Sequence, residues 1–178
     1  MKINGLIRFN FLLLLLCASC GNDVIEKEII TPKIYFEMHY ENDAWGMHRE
    51  AGFVITGAGL VTKFDNPATW NSSDRTLTPQ QVLDNLNQTT ATSVTISSNE
   101  LSAYTNLIPT ITTSEFSKKV SGGNDRGIFL YYAYQLNPTT GNYDPILLEQ
   151  DGDWKMSNKD ESAIKIATWL KEVRDKIQ

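Results

Sequence analysis

The chain has 178 residues, of which 16 are basic and 21 acidic, so its formal net charge is −5 at neutral pH. A nucleic-acid-binding protein needs a basic face to meet phosphates, and this acidic balance argues against a nucleic-acid partner. It also argues against adhesion to anionic lipid through charge alone.

The first element in the chain is an N-terminal segment in which two basic residues precede an apolar run at residues 11–16. The run is too short to cross a bilayer, since a membrane-spanning helix needs ~20 apolar residues. Basic, then apolar, then small residues is the order of a secretory signal peptide. The small residues here are Ala18 and Ser19, and Cys20 follows them directly.

These residues resemble the lipobox of bacterial lipoprotein precursors, which ends in two small residues and a cysteine. The resemblance implies that signal peptidase II removes residues 1–19. Cys20 then becomes the first residue, with diacylglycerol on its thiol and a further acyl chain, such as palmitate, on its amine. One position departs from the family, because Cys17 stands where a leucine is usual. Two or more acyl chains would anchor the protein firmly to a membrane.

Two other interpretations of this segment stay open. Cys17 and Cys20 could form a C-x-x-C redox or metal pair, although no further cysteine exists to complete a zinc site. The segment could also be an ordinary secretory signal peptide that is cleaved at another bond. If the lipoprotein interpretation holds, the mature chain has no free thiol and forms no disulfide, so burial of the core must stabilise it.

Residues 20–32 are predicted to be the lipidated cysteine and a flexible tether, and residues 33–178 a single globular domain. Acidic residues soon after the cysteine, such as Asp23 and Glu26, resemble the signal that favours surface display of lipoproteins in Bacteroidota-like bacteria. Gly21 stands where many Gram-negative lipoproteins carry the Asp that retains them at the inner membrane. We therefore expect an outer-membrane lipoprotein that faces the periplasm or the cell surface.

The first part of the domain is predicted to form three strands. From Ile34 onward apolar and polar side chains alternate with the period of two that is typical of a half-buried strand. Residues 47–56 and 60–64 are predicted as the second and third strands, because the sequence TGAG between them favours a tight turn. A polar loop at residues 67–75, which contains Trp70, follows.

Two capping boxes predict the first two helices. Thr78 and Gln81 stand three residues apart at the start of one helix, and Ser97 and Glu100 do so at the start of the next. The segments rich in Thr and Ser around these helices are predicted to be connections.

The C-terminal part is predicted to form a hairpin and a helix. Residues 127–136 are aromatic and apolar on both faces, so we expect this strand near the centre of a sheet, with residues 145–150 as its hairpin partner. Asn158 is predicted to cap a terminal helix whose apolar stripe begins at Ala163. Trp169, in that helix, is expected to lie in the core.

The predicted order of elements is βββααββα. Hairpins dominate it and no βαβ alternation occurs. The sequence therefore predicts an α+β fold, with an antiparallel sheet of about five strands and three helices packed on one side.

Both histidines, His39 and His48, fall on or beside the first two strands. If these strands pair with their apolar sides together, the two imidazoles share a face with the carboxylates of Glu37, Glu41 and Glu50. Such a face could bind a divalent metal such as Zn²⁺, or it could supply acid–base groups. A solvated face with cross-strand charge pairs satisfies the same pattern.

The tryptophans Trp45 and Trp70 lie in predicted loops. Exposed aromatic side chains can stack on sugars or anchor a protein partner, and they can equally cover one end of a core.

A calcium loop starting at Asp151 is not supported, because the required Gly and Glu are replaced by Met156 and Ser162. The sequence contains no G-x-S-x-G motif and no dinucleotide-binding glycine loop, so we assign no catalytic residue.

Two hypotheses for the function follow. The first is an outer-membrane lipoprotein whose domain is a binding or assembly module for a protein or glycan ligand, with Trp45 and Trp70 as contacts. The alternative is a metal-dependent or hydrolytic envelope enzyme that uses the face of His39 and His48.

Overall fold

A computed structural model describes residues 33–112 and 115–177 of the chain. The signal peptide predicted at residues 1–19, the lipidation site Cys20 and the tether predicted at residues 20–32 lie outside the described residues.

Eight strands and three α-helices make up the described part of the chain. The strands are β1 (Ile34–Asn42), β2 (Arg49–Thr56), β3 (Leu60–Asp65), β4 (Thr90–Thr95), β5 (Val120–Ser121), β6 (Ile128–Leu136), β7 (Tyr143–Gly152) and β8 (Trp154–Ser157). The helices are α1 (Pro79–Leu86), α2 (Ser98–Thr105) and α3 (Glu161–Ile177). Short 3₁₀ turns lie at Ala44–Gly46 and Ile108–Thr110.

The strands form one antiparallel sheet in the order β4-β3-β2-β1-β6-β7-β8-β5. The predicted α+β class, the antiparallel sheet and the three helices are confirmed. Strand β6 is central, as predicted, because it pairs with β1 on one side and with β7 on the other.

The predicted count of about five strands is wrong, and the predicted element order is wrong with it, because β4, β5 and β8 are strands that the sequence pattern does not predict. Strand β4 pairs with β3 at the edge of the sheet, with Ala91 opposite Thr62. It is rich in Thr, whose branched side chain favours a strand even where the strand is exposed. Strands β5 and β8 are short and pair through Val120 and Lys155, so neither has a clear hydrophobic period.

One face of the sheet packs against α2 and α3. Phe36, Phe53 and Tyr131 extend from the strands and meet Ile166 and Leu170 of α3, and all five are buried.

Trp169 of α3 is part of this core, as predicted, with 2% of its surface exposed. Its ring stacks on Tyr104 of α2 with the ring centroids 4.1 Å apart. Its Nε1 donates a hydrogen bond to Oε1 of Glu100 at 2.8 Å.

The opposite face of the sheet is covered as well. Val54, Phe64 and Tyr134 form a second core there, together with Val82 of α1 and the partly buried Trp70. The prediction that all three helices pack on one side is therefore wrong. The central strands carry apolar or aromatic side chains on both faces, so both faces must be removed from water.

The predicted cap of α1 is confirmed. The Thr78 side chain accepts a hydrogen bond from the backbone N–H of Gln81, and the Gln81 side chain accepts one from the backbone N–H of Thr78. Ser97 also caps α2 as predicted, while the carboxylate of Glu100 binds Trp169.

The predicted cap of α3 is wrong, because Asp160 takes that position. Oδ1 of Asp160 accepts hydrogen bonds from the backbone N–H groups of Ser162 and Ala163. Asn158 is fully buried, and its side-chain nitrogen donates to the backbone oxygen of Thr112. Asn158 thus holds the preceding loop against the start of the helix.

Among the described residues no helix is both long enough and apolar enough to span a bilayer.

Candidate functional site

The pairing of β1 with β2 gathers a cluster of ionisable side chains on one face of the sheet. Glu41 lies directly opposite Glu50, and His39 lies opposite Gly52. Since side chains two residues apart share a face of a strand, Glu37 and His39 point to the same side as Glu41. The predicted shared face of Glu37, His39, Glu41 and Glu50 is therefore present, while His48 precedes β2.

The imidazole of His39 lies at the centre of this cluster and is only 4% exposed. Its Nδ1 donates a hydrogen bond to Oε1 of Glu37 at 3.1 Å. Its Nε2 is 3.2 Å from Oε1 of Glu41 and 3.2 Å from Oε1 of Glu50. Both carboxylates lie at ion-pair distance from Nε2, but neither accepts a well-directed hydrogen bond from this buried atom.

Glu37 is buried, with only 1% of its surface exposed, and its carboxylate is hydrogen-bonded by several side chains. Oε2 of Glu37 accepts hydrogen bonds from the hydroxyl of Tyr134 and from Oγ of Ser73, the second at 2.8 Å. Oε1 accepts one from Nε1 of Trp70 at 3.3 Å, in addition to the bond from His39. Four donors thus converge on one buried carboxylate and fix its orientation.

The environment of the cluster shifts the pKa values of its members. Burial is the largest single influence on the pKa of His39 and lowers it, but the interactions with Glu37 and Glu41 together outweigh burial and raise this pKa to about 9. The interaction with His39 lowers the pKa of Glu41. Burial raises the pKa of Glu50. Three carboxyl groups surround one imidazole in this cluster, and their negative charge favours the binding of a cation.

His48 lies at the margin of this cluster and is exposed. Its Nδ1 is 2.7 Å from Oδ1 of Asp43, and that hydrogen bond raises the pKa of His48. Its Nε2 is 3.9 Å from Oε2 of Glu50. Of the predicted metal ligands, His39 contacts both Glu37 and Glu50, whereas His48 is paired with Asp43.

The two predicted binding tryptophans are placed in different environments. Trp70 is stacked on Phe64 with 3.9 Å between the ring centroids, and its Nε1 is bonded to Glu37. Trp45 is 85% exposed and has a left-handed backbone with φ 60°. A role for Trp45 in contacting a protein or glycan stays a prediction, while Trp70 helps to position Glu37.

A separate cleft of about 470 Å³ opens on the other face of the sheet, beside the C-terminal end of α3. Apolar side chains form much of its lining, namely Met38, Tyr40, Phe53, Phe129 and Ile177. Its charged lining consists of three basic side chains and one acidic side chain, namely Arg49, Lys63, Arg174 and Asp65.

The basic side chains of the cleft differ in their partners. Arg174 donates hydrogen bonds to the hydroxyl of Tyr131, at 2.8 Å, and to Asp175, and its guanidinium lies over the ring of Phe129. Arg49 and Lys63 are exposed, and neither forms an ion pair with any residue in the described ranges. Two cations therefore stand at the cleft without an anionic partner.

Several of these residues gave no signal in the sequence. Ser73 sits in a loop, and Tyr134 sits in a strand that is apolar on both faces, so neither suggested a contact with Glu37. The cleft was likewise missed, because it combines residues of β1, β2 and β3 with residues near the C-terminus. Glu41 did fall on the predicted face, because it follows the alternation of β1.

Comparison with known proteins gives no match: no family model, no curated protein and no solved structure is similar to this chain. The function must therefore be argued from the geometry of the two sites.

Proposed function

We propose that the chain is an outer-membrane lipoprotein, attached through acyl chains on Cys20, whose domain binds an anionic and partly apolar ligand in the cleft beside α3. The observation that carries the binding proposal is the pair of unpartnered cations, Arg49 and Lys63, at the margin of an apolar cleft.

The charge distribution supports an anionic ligand group. Without the signal peptide the chain would retain 14 basic and 21 acidic side chains, so its overall charge repels anions. Three of those basic side chains nevertheless line one cleft, against a single acidic lining residue, Asp65, so the local balance favours a negative charge. Arg174 is already held by Tyr131 and Asp175, which reduces the entropy that it would lose on binding.

The lining of the cleft supports an apolar part in the same ligand. Tyr40 and Phe129 lie side by side with 4.6 Å between their ring centroids, and Met38 and Phe53 continue the apolar surface. Small-molecule sites typically combine apolar walls with a few charged or polar groups that fix orientation. The ligand class that fits both features carries a carboxylate, sulfate or phosphate group on an apolar body.

The binding proposal can be tested with two dyes on a soluble form of residues 21–178. Anilinonaphthalene sulfonate carries an anionic group, and N-phenyl-1-naphthylamine is similar in shape but uncharged. We expect the double variant Arg49→Gln, Lys63→Gln to bind the anionic dye about 10-fold more weakly, since ~1.4 kcal/mol of lost attraction corresponds to that factor. Its affinity for the neutral dye should change by less than about twofold.

The matched control is Lys118→Gln, Lys165→Gln, which removes the same charge from exposed positions outside the cleft lining. It should leave the affinity for both dyes unchanged. An equal loss in the two double variants would show that only net charge matters, and it would contradict a cleft site.

The proposed anchor rests on the order of basic, apolar and small residues before Cys20. Cells that express the Cys20→Ser variant should yield an uncleaved precursor that takes up no radioactive palmitate. A matched Cys17→Ser variant should still be labelled and should still fractionate with the outer membrane. Labelling of the Cys20→Ser variant would defeat the proposed anchor.

A further inference from the structure

We propose that His39, Glu41 and Glu50 bind one divalent transition-metal ion, such as Zn²⁺, through Nε2 of the histidine and one oxygen of each carboxylate. The site lies on the face of the sheet opposite to the cleft, so it does not depend on the ligand proposed there.

The spacing of the three candidate ligand atoms fits such an ion. Nε2 of His39 is 3.2 Å from an oxygen of Glu41 and 3.2 Å from an oxygen of Glu50, and all three ligand atoms lie within 4.8 Å of one another. In a tetrahedral zinc site with bonds of about 2.1 Å, neighbouring ligand atoms stand about 3.4 Å apart. The side chains therefore already have nearly the separation that coordination requires.

The hydrogen bonding of Nε2 of His39 also supports a bound ion. A polar atom this deeply buried normally has a hydrogen-bond partner, and leaving it without one costs about 1–3 kcal/mol. Nε2 of His39 makes no well-directed hydrogen bond, although two carboxylates lie at ion-pair distance from it. A metal ion between the three side chains would displace the proton of Nε2 to solvent, bind its lone pair and bring both carboxylates into coordination.

The other side of the ring is arranged as in metal-binding histidines. Such a histidine usually donates its second ring N–H to a carboxylate, which fixes the tautomer and the ring orientation. Nδ1 of His39 donates to Glu37, which is in turn held by Trp70, Ser73 and Tyr134. In this proposal Glu37 is therefore a positioning residue and not the direct metal ligand that the sequence suggested.

An acidic recess adjoins the same cluster through Glu41. Glu41, whose side chain is 44% exposed, also lines a recess of about 260 Å³ together with Asp43, Asp125 and Asp153. This acidic recess raises the local concentration of cations. Three protein ligands leave a coordination position for water, which is the pattern of zinc sites with an open position. The imidazole ligand favours Zn²⁺ over Ca²⁺ or Mg²⁺.

The test uses the full-length protein, expressed with its own N-terminal segment, purified in a non-ionic detergent without a histidine tag and stripped with EDTA. Calorimetric titration with ZnCl₂ should show one ion per chain. Titration with CoCl₂ should give the visible absorption of four-coordinate Co²⁺. Glu41→Gln and Glu50→Gln should each weaken Zn²⁺ binding at least about 10-fold, the loss found even for residues that only support a ligand.

His48→Gln is the matched control, since His48 is exposed, near Glu50 and bonded to Asp43. It should leave the Zn²⁺ affinity unchanged. Glu41 is exposed enough for its variant to fold, and an unchanged circular dichroism spectrum confirms that it does. Absence of stoichiometric Zn²⁺ binding overturns the proposal. It is also overturned if Glu41→Gln binds as the wild type does while His48→Gln does not, because the ion would then sit at exposed His48 and Asp43.

Discussion

Glu37 and His39 stand two residues apart on β1, and Oε1 of the glutamate accepts a hydrogen bond from Nδ1 of the histidine at 3.1 Å. The glutamate lies under the loop that contains Trp70 and Ser73, and the histidine faces Glu41 and Glu50. This one hydrogen bond therefore connects the second core to the proposed metal site.

Replacement of Glu37 by Gln should destabilise the domain by about 3 kcal/mol. The amide has one acceptor oxygen instead of two and no charge, so at least one of the buried donors of His39, Ser73 and Tyr134 loses its partner. Urea unfolding followed by circular dichroism measures the change. Glu115→Gln, at an exposed position, is the control and should change the stability by less than about 0.5 kcal/mol. Similar effects of the two variants would contradict the role given to Glu37.

Gly52 permits the close packing beside His39. A Cβ atom at this position would stand 2.1 Å from the backbone oxygen of Met38 and 2.6 Å from the ring of Phe64. We expect Gly52→Ala to lower the unfolding free energy by about 2–3 kcal/mol, because β1 and the ring must both move.

Gly141→Ala is the matched control for Gly52→Ala. A Cβ atom at Gly141 meets no atom within 4 Å, but the backbone has φ +72°, so this variant measures backbone strain alone, about 1 kcal/mol. Thermal unfolding of the two variants compares the costs. A smaller loss in Gly52→Ala than in Gly141→Ala would show that the packing at Gly52 is looser than described.

The metal-free domain should become less stable as the pH rises from 6.5 to about 9, the ordinary and the folded-state pKa of His39. Burial alone would favour loss of this proton, but the interactions of the ring with Glu37 and Glu41 outweigh burial, so the folded state holds the proton more tightly than the unfolded chain does. The contribution is thus complete below pH 6.5 and is lost as the pH passes the folded-state pKa. A shift of this size corresponds to about 3 kcal/mol.

Urea unfolding in EDTA at pH 6, 7.5 and 9.5 measures this dependence. His39→Gln should flatten the slope between pH 6.5 and 9, whereas His48→Gln, at an exposed ring, should retain most of it. A wild-type slope that persists in His39→Gln would assign the titration to another group.

Trp169 connects α2, α3 and the sheet. Its ring contacts Phe36 edge-on with 5.1 Å between centroids, stacks on Tyr104, and donates a hydrogen bond to Glu100. Trp169→Phe should cost about 2 kcal/mol, because it removes the hydrogen bond and leaves a void. Trp154→Phe, at a side chain that is 45% exposed, should cost less than about 0.5 kcal/mol. Equal shifts of the urea midpoint in both variants would contradict this assignment.

The elements that the sequence predicted well depend on neighbours in the chain. The cap of α1 needs only Thr78 and Gln81. The shared face of Glu37 and His39 follows from an alternation that holds from Phe36 onward, whereas a bulge between Ile34 and Phe36 places Ile34 in the opposite core. The apolar stripe of α3 is likewise a local pattern. Strand β4 could not be predicted in this way, because its Thr-rich sequence has no hydrophobic period. Its strand conformation depends on pairing with β3.

The sequence by itself determined the α+β class, the antiparallel hairpins and the gathering of His39, Glu41 and Glu50 on one face, because periodicity and turn signals act over a few residues. Only the tertiary structure decided that this face is buried. Ser73 and Tyr134 reach Glu37 from 36 and 97 positions away, and no local pattern records such contacts. Because burial removes water from His39, only the neighbouring protein groups can interact with its Nε2. Those neighbours are set by the tertiary fold, so the chemistry of the site could not be derived from the sequence.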